Sequence, residues 1–96
     1  MRADYDSEGD TLAITLVEVD HADDGDDTIP GTVVLLRDGG PVAIDVLNAS
    51  DVGALDALEH VARRYGLDHE ALVAAARSAL AVPDRTVVLD VLGRSA

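Results

Sequence analysis

The chain has no cysteine, no lysine, no phenylalanine and no tryptophan, and Tyr5 and Tyr65 are its only aromatic residues. Without cysteine, disulfides, thiolate nucleophiles and cysteine-ligated metals are excluded. Without lysine, its seven cations are all arginine, set against 19 carboxylates for a formal net charge of −12. Such a surface repels phosphate backbones and lacks the electrostatic term behind non-specific nucleic-acid binding, so no nucleic-acid partner is expected. Acidic membrane surfaces are disfavoured for the same reason. No apolar run approaches the roughly 18–20 residues of a membrane span. Met1 to Asp6 shows no basic start leading into an apolar stretch, so no signal peptide is read and a cytoplasmic location is expected.

What remains is enough to fold. Hydrophobic residues make up 48% of 96 residues, which suits one domain with a single core and excludes general disorder. That core must be built from Val, Leu, Ile and Ala. Small side chains fill a small domain thinly, so extra burial through a homodimer is expected. The acidic surface favours a basic protein partner or a saline surrounding. An Asp-rich, lysine-free balance is also what salt adaptation or coding bias leaves behind, because net charge speaks to solubility and association before fold.

One stretch organises the chain. In Val42-Ala43-Ile44-Asp45-Val46-Leu47, Val42, Ile44 and Val46 alternate with Ala43, Asp45 and Leu47, the period-two pattern of a strand with one buried face. Asn48-Ala49-Ser50 then offers oxygens to stop the strand and cap a helix. Upstream, Tyr5 to Asp10 reads as a short extended piece entering a turn. Thr11 to Val19 reads as a strand with Leu12, Ile14 and Leu16 on one face. Residues 20–27 carry too much like charge to pack and read as a solvated loop. Thr32 to Arg37 is a second strand, and its apolar run Val33-Val34-Leu35-Leu36 implies burial on both faces. Arg37-Asp38-Gly39-Gly40-Pro41 closes a hairpin through residues that tolerate positive φ. Residues 5–47 thus read as a three-stranded antiparallel β-meander, with Asp45 on the solvent side of its last strand.

Residues 51–81 read as two helices. Val52, Leu55, Leu58 or Ala62, and Tyr65 form an i, i+3, i+4 stripe. Gly66 supplies a left-handed stop and Asp68 a cap for the next helix, with Leu67 and Leu72 as a hydrophobic staple. The second helix, His69 to Ala81, turns Leu72, Ala75, Ala76, Ala79 and Leu80 inward, and Pro83 ends it. A β-branched strand over 85–92 must then join an existing sheet or a partner's. The order β-β-β-α-α-β defines an α+β fold with an αα-hairpin against one face of the sheet.

Four pieces carry a resemblance: Tyr5-Asp6, Gly9-Asp10-Thr11-Leu12-Ala13-Ile14-Thr15-Leu16, Pro30-Gly31 and Val42 to Ser50. Together they resemble the small bacterial and archaeal family catalogued as domain of unknown function 2283. The resemblance covers residues 5–50, and its most specific part is the final nine residues. It implies a small β-meander, no assigned reaction, and gene neighbours that include small toxin-like proteins, which suits an antitoxin-like role. Two positions depart from the family pattern. Ala43-Ile44-Asp45 stands where Gly-Ile-Glu is usual, and Val34-Leu35 where an acidic–aromatic pair is usual.

No motif spells out a reaction. A calcium loop needs acids at positions one, three and five, Gly at six and Glu at twelve. With Gly25 at six, Asp20 and Asp24 fit, but Ala22 and Gly31 stand at three and twelve. Asp20, Asp23, Asp24 and Asp26 are therefore weak metal candidates, and a solvated acidic loop is the simpler reading. His69-Glu70 opens like a zincin helix, yet Val73 holds the place of the second histidine. Asp56 and His60 share a helix face at i, i+4, without a third ligand in view. Asp10 and Asp45 are the alternative acid pair. No nucleophile elbow, phosphate loop or dinucleotide fingerprint occurs, so no cofactor is implied. The helix–Gly66–helix spacing is similar to helix-turn-helix, but a recognition helix must meet phosphates, and the second helix offers only Arg77 against the acids Asp68 and Glu70, with Arg63 and Arg64 on the first helix. The functional expectation is an acidic, non-enzymatic interaction protein. Asp10, Asp23, Asp24, Asp26, Asp27 and Asp45 are its candidate partner-binding residues.

Overall fold

The computed structural model describes residues 1–89. Six strands form one antiparallel sheet: β1 (Arg2–Asp6), β2 (Thr11–Thr15), β3 (Asp24–Asp26), β4 (Thr32–Arg37), β5 (Gly40–Leu47) and β6 (Thr86–Val88). The spatial order is β3-β4-β5-β2-β1-β6. Two helices, α1 (Ala57–Tyr65) and α2 (His69–Ala81), lie between β5 and β6 in sequence. The alternating strand β5 takes an interior place, as its pattern predicts. Ile44 opposes Ile14 on β2 and Val34 on β4, and all three are fully buried.

The expected meander is corrected in its pairing. β5 lies between β4 and β2, so the first and second predicted strands are not neighbours. The tight turn at Asp38 (φ 53°) and Gly39 (φ 82°) forces β4 beside β5. The connection over residues 16–31 is long enough to leave β2 free on the other side. β2 also stops short of the expected Val19. Leu16 and Val17 both donate to the carbonyl of Val42, at 2.8 and 3.1 Å, and two donors on one acceptor break the ladder.

Two further strands exceed the expectation. Arg2–Asp6 alternates Ala3 and Tyr5 inward with charged residues outward, and pairs with both β2 and β6. Asp24–Asp26, expected as solvated loop, pairs with β4 as an edge strand. Backbone pairing does not require buried side chains, and Asp24 remains exposed there. The C-terminal strand expected over 85–92 is observed as Thr86–Val88 on the outer edge of β1, while Asp90 to Leu92 lie outside the described residues.

Both helices pack on one face of the sheet. Leu12, Ile14, Val34, Ile44 and Val46 meet Leu58, Val61, Leu72, Ala75, Ala76 and Ala79 in a single aliphatic core. Gly66 ends α1 at φ 69°, and Asp68 accepts the N–H of Ala71 at 3.3 Å, both as predicted. The start of α1 is corrected. A 3₁₀ turn at Ala54–Asp56 precedes it, and Val52, counted in the apolar stripe, is wholly exposed. Gly53 sits at φ 82° and interrupts any earlier helix. β4 also differs from its expected burial on both faces, because Val34 is buried while Val33 and Leu35 are only half-buried on the opposite side.

Candidate functional site

The strand register decides what the second face of the sheet presents. One cross-strand row runs Thr86, Asp4, Ala13, Asp45 and Val33, and the next runs Val88, Arg2, Thr15, Ala43 and Leu35. Neither helix packs over these rows, since both lie on the other side, and only the β2–β3 connection borders the second row among the described residues. Four large exposed hydrophobics lie on or beside this face. Among the described residues there are six, namely Val17, Val19, Leu47, Val52, Val82 and Val88. Leu47 and Val88 belong to the open face, and Val17 and Val19 line a cleft of about 210 Å³ where the β2–β3 connection passes Thr15, Leu35 and Ala43. Exposed apolar side chains scattered singly need no explanation, whereas a concentration on one face marks an interaction surface.

Charge is divided as unevenly. Thirteen of the 19 carboxylates but only two of the seven arginines fall in residues 1–51, so −11 of the −12 belongs to the part carrying five of the six strands. One of those two arginines, Arg2, is on the open face. It is engaged by Glu18 at 2.9 Å and by Asp4 at 4.0 Å. Asp45 sits between Ala13 and Val33 with no hydrogen-bond donor among the described residues. Half-burial without a partner pushes its carboxyl above the ordinary aspartate range.

The other candidate aspartates do different work. Asp10 accepts the Tyr5 hydroxyl at 2.6 Å and both the N–H and the hydroxyl of Ser50, at 2.9 and 2.7 Å. The main-chain carbonyl of Asp10 also accepts the N–H of Ala49 at 3.0 Å. Asn48-Ala49-Ser50 therefore ties the end of β5 to the start of β2. It does not cap a helix, contrary to the expectation. Asp26 accepts from the Thr28 hydroxyl and N–H, from Arg64 and from Tyr65, fastening the acidic loop to the last turn of α1. Asp84, which no sequence motif singled out, accepts the N–H and hydroxyl of Ser7 at 2.9 and 2.7 Å. In all three cases hydrogen bonds to the ionised form hold the carboxyl below its ordinary range. The Tyr5 hydroxyl leads at Asp10, the Thr28 hydroxyl at Asp26 and the Ser7 hydroxyl at Asp84.

The metal candidates are not gathered. Asp23 accepts the N–H of Asp38 at 3.0 Å, Asp24 accepts that of Gly25 at 2.8 Å, and Asp26 is engaged as above. Asp20 and Asp27 are exposed. Among the described residues no three Asp, Glu or His side chains are grouped to hold an ion. Asp10 and Asp45 do not converge either. Asp10 reaches the buried Tyr5 at a strand end, whereas Asp45 points from mid-strand to the open face. A cleft of about 420 Å³ between Ile29-Pro30-Gly31 and the 51–57 segment is lined by Asp51, Asp56 and His60. It is open and carries no buried polar group. No helix in the described residues is long and apolar enough to cross a membrane.

No family model, curated protein or solved structure matches the chain significantly.

Proposed function

We propose that this chain is a non-enzymatic binding protein that captures a basic protein, in the manner of an antitoxin neutralising a cationic toxin. The observation that carries the reading is a sheet face that neither helix covers, in the part of the chain, residues 1–51, that holds −11 of the net charge. Like-signed surface charge raises the encounter rate with an oppositely charged partner, and exposed apolar rows give the complex something to bury. The resemblance read in residues 5–50 to domain of unknown function 2283 implies the same class of partner, through the toxin-like gene neighbours of some members. The aspartates divide accordingly. Asp45, with exposed Asp23, Asp24 and Asp27, faces solvent and a partner, whereas Asp10 and Asp26 hold the scaffold.

The test is co-expression with small lysine- and arginine-rich products of adjacent reading frames, followed by co-purification. A complex that persists at about 0.15 M salt and weakens at about 0.5 M supports the reading, because screening shortens the reach of surface charge. Failure of every such neighbour to bind would count against it. The alternative, divalent-ion binding or acid chemistry by the aspartates, predicts heat on titration with calcium, magnesium or manganese, and calorimetry separates the two.

A further inference from the structure

Asp45 is the one carboxylate in the middle of the open face, and its surroundings are unusual for a charge. Its cross-strand neighbours are Ala13 and Val33, and Ala43 and Leu47 flank it along β5 on the same side. The two alanines leave a shallow floor beside the carboxylate. The nearest charged row-mate, Asp4, lies beyond Ala13 and already receives the Thr86 hydroxyl. The face's cation, Arg2, is held by Glu18 and Asp4. Asp45 thus loses part of its hydration without gaining a donor among the described residues, an arrangement that costs free energy in the isolated chain.

From this we infer that Asp45 anchors the interface by receiving an arginine of the basic partner. Its guanidinium would lie on the alanine floor of Ala13 and Ala43, with Val33 and Leu47 on the other side of the carboxylate. The inference rests on the function proposed above and names the residue at its centre. A guanidinium fits better than an ammonium, being planar, weakly hydrated and able to grip both carboxylate oxygens while its stem covers apolar surface. A second copy of this chain, itself of net charge −12 and offering the same Asp45 in return, is the poorer occupant.

The experiment is an amide NMR titration of the full chain with a nona-arginine peptide at about 0.15 M salt, where contacts beyond about 8 Å are screened. Shifts centred on Ala13, Val33 and Asp45 are expected. Asp45→Asn should weaken binding at least about ten-fold, as loss of a desolvated charge pair does, and exposed Asp27→Asn by less than about two-fold. Asp45→Leu should match Asp45→Asn, and the unbound spectra of both variants report that the fold is intact. Nona-lysine should bind more weakly than nona-arginine. No binding of either peptide overturns the proposed function and this inference together. Binding with shifts confined to residues 20–27 and unchanged by Asp45→Asn overturns the inference alone. Concentration-dependent shifts of the same three amides without peptide would assign the face to a second copy, and would also overturn it.

Discussion

Asp10 holds Ser50 twice, taking its N–H at 2.9 Å and its hydroxyl at 2.7 Å across 40 positions of chain, and Asp84 holds Ser7 with the same pair of distances across 77. Each clamp joins a turn to a segment far away in sequence. The first fixes where β5 leaves the sheet, and the second fixes where the chain returns after α2. Asp26 repeats the double grip locally on Thr28, and adds Arg64 and Tyr65 from α1.

These clamps predict acid sensitivity with a definite sign. Each of the three carboxyls has its folded pKa depressed, so its contribution is present above the unfolded value and lost as pH falls through the folded one. Urea unfolding followed against pH should show stability falling below about pH 4, where free aspartates protonate. Asp10→Asn keeps the shape but loses the charge that strengthens three bonds. It should be less stable than the parent at pH 7, with the gap narrowing below pH 4. A gap independent of pH would show that the charge on Asp10 contributes nothing.

Gly66 tests the helix stop. Its φ of 69° lies in the left-handed region, and a Cβ built there meets nothing within 4 Å. Gly66→Ala therefore adds backbone strain without a clash, and should cost about 1 kcal/mol in chemical denaturation. A variant as stable as the parent would mean the turn relaxes to another conformation.

Leu58 and Val52 were indistinguishable by helical spacing, yet the structure separates them completely. Leu58 has no exposed surface, whereas Val52 is fully exposed. Leu58→Ala should cost about 2–5 kcal/mol through lost burial and the cavity left behind. Val52→Ser should change stability by less than about 0.5 kcal/mol. Comparable losses from the two would restore the longer helix.

That contrast shows where the sequence is readable. Gly66, Asp68 and Pro83 act within a turn of their own position, so their roles were legible. The alternation around Ile44 was legible because it is a property of six consecutive residues. The start of α1 was not, because Asn48-Ala49-Ser50 is tied to Asp10 and Gly53 takes a left-handed φ, facts set by a residue 40 positions away and by a single dihedral. Strand order was hidden for a similar reason: nothing in Thr11–Thr15 says which side of β5 it will occupy. For the candidate site, Asp45 could be placed on the outward side of its strand. Its isolation depends on Ala13 and Val33, which only the register brings beside it.

Asp45 carries the prediction of opposite sign. Its folded pKa is raised by burial, so ionising it opposes folding, and the penalty accrues as pH climbs through and above the unfolded value. Asp45→Asn should therefore be more stable than the parent at pH 7, by less than about 1 kcal/mol because water still reaches the carboxylate. The two proteins should converge below about pH 4, where the aspartate is already neutral. The same substitution is expected to weaken capture of an arginine-rich partner. A residue whose removal steadies the free chain while loosening the complex acts at the interface, since a purely structural carboxylate would move both quantities the same way or leave binding untouched. Urea denaturation at pH 3.5 and pH 7 checks the first half, and the peptide titration checks the second.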